Sequence, residues 1–268
     1  MKLFYRQFGE SGDNLIIVHG LYGASDNWVS IARQLQNTFR VYVVDLRNHG
    51  QSPHSPSHSY QDLTADLLEF FQEHKINKAH LLGHSMGGKT VMTFAINHPE
   101  YVKKIIIADI APKPYTSVSH HAFTTNNHFK IIEAMMQLDL PGVKNRKEID
   151  DQLKKHLADL KLRQFLLKNI QRKKDGNYTW RLNLDAIKNN LEEIMDGFSQ
   201  YINTPPQTDI STIFLKGKLS GYILDDDMLF ARKLFPDSQL ITIPYAGHWL
   251  HAEQPDLFIK TVNYFLSE

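Results

Sequence analysis

Short, unbroken apolar runs punctuate the first part of the chain: Leu15-Ile16-Ile17-Val18, Val41-Tyr42-Val43-Val44, Ala79-His80-Leu81-Leu82 and Ile105-Ile106-Ile107-Ala108. They do not alternate apolar with polar, so they predict strands buried on both faces, as in a parallel sheet. Between them, Trp28 to Leu35 and Tyr60 to His74 read as helices, with Leu63, Leu67, Phe70 and Phe71 on one face of the second. Ser59 is placed to cap that helix, and His74 and Lys75 suit the negative end of its dipole. Strand–helix–strand repetition predicts right-handed crossovers and an open, mostly parallel, doubly wound α/β sheet.

The pattern breaks after Asp109. From Pro112 to Pro206 no buried strand is expected; helical segments over Lys147 to Leu160 and Lys161 to Ile170 lead to a turn at Lys174-Asp175-Gly176-Asn177. Strand-like Ile213-Phe214-Leu215 and Leu240-Ile241-Thr242-Ile243 then resume the sheet, and a helix from Asp256 to Phe265 closes it. Residues 1–112 and 206–268 are therefore expected to form one core, and residues 113–205 a helical cap inserted into it.

Composition narrows the class. The 268 residues are 42% apolar and 22% charged, as in a globular protein with a substantial core. A net charge of only +1 gives no reason to expect nucleic acid or an anionic membrane as partner. The first ten residues lack the apolar stretch of a signal peptide. No run approaches the roughly eighteen apolar residues of a membrane helix, so stable membrane insertion is not expected and a cytoplasmic location is. Absence of cysteine excludes disulfides, thiolate metal sites and a cysteine nucleophile. His120-His121 and the pair His54 and His58 fall in polar, loop-like sequence and are expected to be solvated.

The candidate chemistry centres on Gly83-His84-Ser85-Met86-Gly87, between a strand-like run and the helix-like Lys89 to Ile96. A Gly-x-Ser-x-Gly turn at a strand-to-helix junction lifts the serine above the sheet edge in strained backbone, and its glycines keep neighbouring elements clear. Serine needs a base, and His248 in Ala246-Gly247-His248-Trp249 follows the last expected strand. His251 is the nearby competitor, on the turn that follows. The acid has two candidate places. Asp225, Asp226 and Asp227 precede a helix and read as its acidic first turn. Asp109 ends an apolar strand next to that of Ser85, where a buried carboxylate needs a partner that His248 would supply. Where the acid often follows the next strand, this chain has Ser220. Backbone N–H groups of Leu21 and Met86 are the expected oxyanion hole, with donors worth about 10²–10³ each in turnover. His19 is expected to hold the Leu21 loop, and His84 to serve as pocket wall or structure.

His19-Gly20, Asp45-Leu46-Arg47-Asn48-His49-Gly50-Gln51-Ser52, Gly83 to Gly88 and Gly247-His248 together resemble the α/β-hydrolase superfamily across nearly the whole chain outside the cap. Arg47-Asn48-His49-Gly50, Gly83-His84-Ser85-Met86-Gly87-Gly88-Lys89, Asp109-Ile110-Ala111-Pro112 and Ala246 to Glu253 are more closely similar to the YbfF-type esterases. That resemblance implies an acid at Asp109 and none at Ser220, and activity on acyl esters and acyl-CoA thioesters. The implied mechanism proceeds through an acyl-enzyme on Ser85 and requires no metal or organic cofactor. The partner expected is a small-molecule ester or thioester; oligomeric state is left open. Tyr22, Phe123 and Trp249 are apolar candidates for the acyl site. Lys173 and Lys174, in a segment with 15 Lys/Arg against 11 Asp/Glu, are candidates to attract a phosphorylated leaving group. Carbon–carbon bond hydrolysis, perhydrolysis, peptide cleavage and a purely ligand-binding role remain alternatives on this scaffold.

Overall fold

The computed structural model describes residues 1–115, 125–201 and 203–267. Strands β1 (Tyr5–Phe8), β2 (Asp13–Val18) and β3 (Phe39–Val44) enclose helix α1 (Val29–Leu35). Then come α2 (Tyr60–Glu73), β4 (Ala79–His84), α3 (Met86–Asn97) and β5 (Val102–Ala108). A second group follows: α4 (Thr125–Met136), α5 (Arg146–Lys154), α6 (Leu160–Leu167), the hairpin β6 (Ile170–Arg172) and β7 (Tyr178–Trp180), α7 (Leu184–Asn189) and α8 (Leu191–Asp196). The chain returns to the sheet through β8 (Ser211–Gly217), α9 (Asp227–Leu234) and β9 (Gln239–Ile243), and ends with α10 (Leu250–Glu253) and α11 (Pro255–Ser267).

The sheet runs β1-β3-β2-β4-β5-β8-β9. Only its first pair, β1 with β3, is antiparallel. The continuous apolar runs explain why: alternate residues of β2 serve opposite faces. Ile16 and Val18 pack with Phe70, Phe71 and Phe94 of α2 and α3. Leu15 and Ile17 pack with Trp28, Leu35, Phe258 and Val262 on the side of α1 and α11. Ser59 caps α2 by accepting from the Asp62 N–H at 3.1 Å, while Asp62 accepts from the Ser59 N–H in return.

Among the described residues between β5 and β8, helices predominate and one short hairpin is added. The turn at Lys174 to Asn177 joins the two short strands β6 and β7, which pair antiparallel over Ile170–Arg172 and Tyr178–Trp180. Three-residue strands with half-exposed side chains leave no buried run to read. Leu153, Leu166, Ile187 and Leu191 from this segment join the same apolar cluster as α2 and α3, so the segment packs onto the core instead of standing apart. Among the described residues no helix is long and apolar enough to cross a membrane.

Candidate active site

Parallel strands deliver their carboxyl ends to one edge of the sheet, and the candidate residues gather there. Strand β4 stops at His84 and α3 starts at Met86, so Ser85 makes the turn with φ 52° and ψ −121°. The flanking glycines are sterically required. A Cβ on Gly83 would lie 2.2 Å from the Gly87 carbonyl oxygen, and one on Gly87 would lie 2.2 Å from that of Val18.

Asp109 follows β5 on the adjacent strand, also at positive φ (53°). It is fully buried (0% exposed), so its oxygens need donors from the protein. Oδ1 accepts from the Gly217 N–H at 3.0 Å. Oδ2 accepts from the Ser220 hydroxyl and from His248 Nδ1 at 2.8 Å. Thus Ser220 donates to the carboxylate that lies one strand away. Holding Nδ1–H on Asp109 fixes the tautomer in which Nε2 is the basic nitrogen. The imidazole is stacked on Tyr222, with ring centroids 3.9 Å apart and planes at 21°. His84 is buried and donates its Nε2–H to the His248 carbonyl at 2.8 Å, while burial pushes its pKa well below the ordinary histidine value. A neutral His84 therefore steadies the loop that carries His248. Ser85 and His248 line one cavity of about 550 Å³.

The competing residues have other partners. His251 is stacked flat on Trp28 at 4.0 Å, and burial drives its pKa down to about 3. Asp225 pairs with Lys216 at 3.0 Å. Asp227 pairs with Lys113 and accepts from the Leu224 N–H at 2.7 Å, at the start of α9. These acids serve the helix start and an edge ion pair.

The loop after β2 passes directly over the elbow: a Cβ on Gly20 would meet that of Ser85 at 3.0 Å. Two histidines hold this loop. His19 Nε2 accepts from the Leu46 N–H at 3.0 Å, which leaves Nδ1–H to donate to the Gly20 carbonyl at 2.8 Å. His49 Nε2 accepts from the Tyr22 N–H at 3.3 Å and its Nδ1–H donates to the Arg47 carbonyl at 3.0 Å. Leu21 is thereby set between two anchored neighbours. Met86 stands in the first turn of α3, where N–H groups have no intrahelical acceptor. Leu21, Ser85 and Met86 border a common recess.

His58 corrects an expectation. It is fully buried, 5.3 Å from His49, and its Nδ1 accepts from Asn48 Nδ2 at 3.3 Å. Burial lowers its pKa to about 3, so it is neutral. Its polar loop looked solvated because the covering residues come from far along the chain: Asn183 N–H donates to the Asn48 carbonyl and Asn190 to that of Pro56. His54 is exposed as expected, and His120-His121 lie outside the described residues. Tyr22 and Trp249 line the large cavity, whereas Phe123 lies outside the described residues. Lys173 and Lys174 are exposed at the β6–β7 turn; the cavity wall instead carries Lys130 and Lys161 together with Asp159 and Glu253.

Lys89 was not singled out in sequence. It is buried on α3, and its Nζ donates to the carbonyls of Met195 at 3.0 Å and Asp196 at 3.1 Å. The available signal was a lysine within the otherwise apolar helix Met86-Gly87-Gly88-Lys89-Thr90-Val91-Met92.

A strand-to-helix serine, a histidine loop and a parallel sheet covered by helices define the class. The chain belongs to the α/β-hydrolase family, whose model, described as alpha/beta hydrolase fold, matches residues 13–255, and within it to the YbfF-type esterases. Its relatives include "Esterase YbfF" of Escherichia coli (strain K12), 32% identical over 95% of this chain and 93% of that protein. The "sn-1-specific diacylglycerol lipase ABHD11" of Danio rerio is 40% identical over 99% of this chain and 83% of that protein. Among solved structures, "Marine microorganism esterase" is 48% identical with a TM-score of 0.93, covering 98% of this chain and 99% of that one.

Proposed function

We propose that this protein is a serine hydrolase that cleaves acyl esters, and acyl-CoA thioesters as a second class, through Ser85, His248 and Asp109. The observation that carries the reading is the buried Asp109 carboxylate bonded to His248 Nδ1 at 2.8 Å, with Ser85 on its elbow at the same cavity. His248 Nε2 takes the Ser85 proton as Oγ attacks the acyl carbon, and Asp109 stabilises the imidazolium that forms. The Leu21 and Met86 amides receive the oxyanion. The imidazolium then protonates the departing alcohol or thiol, leaving Ser85 acylated. Water, deprotonated by His248, attacks that ester and releases the acid. Residues 113–205 act as the cap over this site. Lys130 and Lys161 on the cavity wall offer charge to a leaving group that bears phosphate, against Asp159 and Glu253 on the same wall. The relatives named esterase and lipase support the ester class.

The test is a fluorophosphonate probe followed by intact-protein and peptide mass spectrometry. A single adduct on Ser85 that abolishes p-nitrophenyl acetate turnover is expected, and turnover that survives complete labelling would overturn the serine mechanism. Matched acyl-CoA and phosphate-free thioesters at low salt test the two lysines: equal efficiency on both would remove them from the account.

A further inference from the structure

The surroundings of Ser85 are lopsided. One side is the cavity of about 550 Å³, walled by Phe165, Leu162, Tyr22 and Trp249. The other is a recess of about 20 Å³ bordered by Leu21, Met86, Lys89, Ile194 and Met195. Ser85 faces both, but among the described residues His248 borders the large cavity and not the small recess.

Acyl transfer dictates which group goes where. The leaving atom takes its proton from the imidazolium, so the leaving group departs on the side of His248. The oxyanion is directed at the Leu21 and Met86 amides. Leu21 and Met86 border the small recess, so the remaining substituent of the tetrahedral carbon, the acyl group, shares that recess with the oxyanion and extends toward Lys89, Ile194 and Met195. A cavity needs about 10–15 Å³ to hold one water, so a recess of about 20 Å³ takes a small group and not an extended chain.

Lys89 closes the recess. Its stem crosses from α3 toward α8, and its Nζ is held by the Met195 and Asp196 carbonyls at the carboxyl end of α8, while burial lowers its pKa to about 7. The rings of Tyr115, Tyr60 and Phe198 surround the nitrogen at 5.0, 5.9 and 5.9 Å. The side chain is therefore fixed at both ends, by its own helix and by the segment above it, and a longer acyl chain cannot displace it without breaking both hydrogen bonds.

We propose that the protein prefers short acyl groups, acetyl above all, carried on bulky alcohols or thiols, and that Lys89 sets the acyl-length limit. The proposal rests on the acyl-ester reading above. In the step concerned the bond from Ser85 Oγ to the acyl carbon forms, the bond to the leaving oxygen or sulfur breaks, and the Ser85 proton passes through His248 to that atom. Water completes the cycle and releases acetate.

Two crossed series measured as kcat/KM on the intact protein test it. With p-nitrophenol fixed as leaving group, efficiency is expected to fall about 100-fold or more from acetyl to octanoyl. With acetyl fixed, efficiency is expected to hold or rise from methyl to octyl and benzyl alcohol. Lys89→Ala should move the optimum to butyryl or hexanoyl, whereas Lys89→Met, which keeps the length without the charge, should retain the acetyl optimum. Ile194→Ala enlarges the recess from the other wall and should give the same shift, which covers the case in which Lys89→Ala fails to fold. Octanoyl turned over as well as acetyl, or an acetyl optimum that survives in folded Ile194→Ala and Lys89→Ala alike, overturns the subsite assignment alone. No turnover of any ester in either series would overturn the acyl-ester reading and this assignment with it.

Discussion

The carboxyl edge of the sheet and the helical segment above it hold the serine's surroundings in different ways. At the edge, Asp109 takes donors from a backbone amide, a hydroxyl and an imidazole, each fixed by its own strand or loop. Contacts between the core and the covering segment mostly end on backbone carbonyls. Asn169 donates to the Tyr22 carbonyl at 2.7 Å, Tyr60 to that of Ile194 at 3.0 Å, and Lys89 to those of Met195 and Asp196. A backbone carbonyl is the same whatever side chain it carries. The edge thus needs particular residues, while the cover needs mainly a shape. Substitutions at the edge should strike turnover; those above it should strike selectivity and docking.

The largest effect expected is from Ser85→Ala, with kcat reduced by about 10⁶ if the residue acts as the nucleophile in a serine triad. Steady-state hydrolysis of p-nitrophenyl acetate measures it, and a loss below tenfold would break the contrast at its centre. Next comes Asp109→Asn, expected to cost about 10⁴ in kcat, the scale seen when such an acid is neutralised. Asp225→Asn, at an exposed ion pair, should leave turnover within about twofold. The reverse ranking would move the acid's role to the α9 start.

Ser220→Ala removes one donor to a buried carboxylate, a bond of the kind worth about 1.5–3 kcal/mol, so a loss of roughly 10–100-fold is expected. The pH–rate profile sharpens this prediction. A weaker hold on the Asp109 anion should shift the acidic limb of the profile, whereas a loss of packing alone would leave the profile in place. Asn169→Ala, on the covering side, should lower stability by about 1 kcal/mol in urea titration and change KM more than kcat. A purely kcat effect would mean that this side, too, governs the chemistry.

The last effect concerns acid, and falls on stability instead of turnover. His58 and His251 have pKa values lowered by burial from 6.5 to about 3. The unfolded chain therefore binds protons first as pH drops, so stability is fully present above 6.5 and declines between 6.5 and about 3. Below 6.5 each such group contributes about 1.4 kcal/mol of loss per pH unit. Tm measured from pH 8 to pH 5 should fall, and His251→Phe, which keeps a ring against Trp28, should fall less steeply. An unchanged slope would remove His251 from the account.

Legibility followed the range of the interactions. The runs at Leu15 to Val18 and Ile105 to Ala108 were readable because burial on both faces leaves only apolar residues. The elbow was readable because its steric needs fall within five residues. Strand β1 was not: Tyr5-Arg6-Gln7-Phe8 lies at a half-exposed sheet edge with no apolar run. Ser220 could be seen as a missing acid, but its bond to Asp109 spans 111 positions and only folding brings the pair together. Lys89 hid for the same reason, since its acceptors lie 106 and 107 positions away. The burial of His58 depends on Asn183 and Asn190, again more than a hundred positions distant.

The backbone at the sheet edge has a practical consequence for anyone improving this protein. Tyr22, Asn48, Ser85, Asp109 and Tyr245 all stand at φ between 52° and 66°, a region that costs side-chain-bearing residues roughly 1–3 kcal/mol apiece. Glycine at Ser85 would relieve that strain and remove the proposed nucleophile in the same change. A directed-evolution campaign scored on heat survival alone would therefore reward inactive molecules. Ester turnover has to be in the selection from the first round.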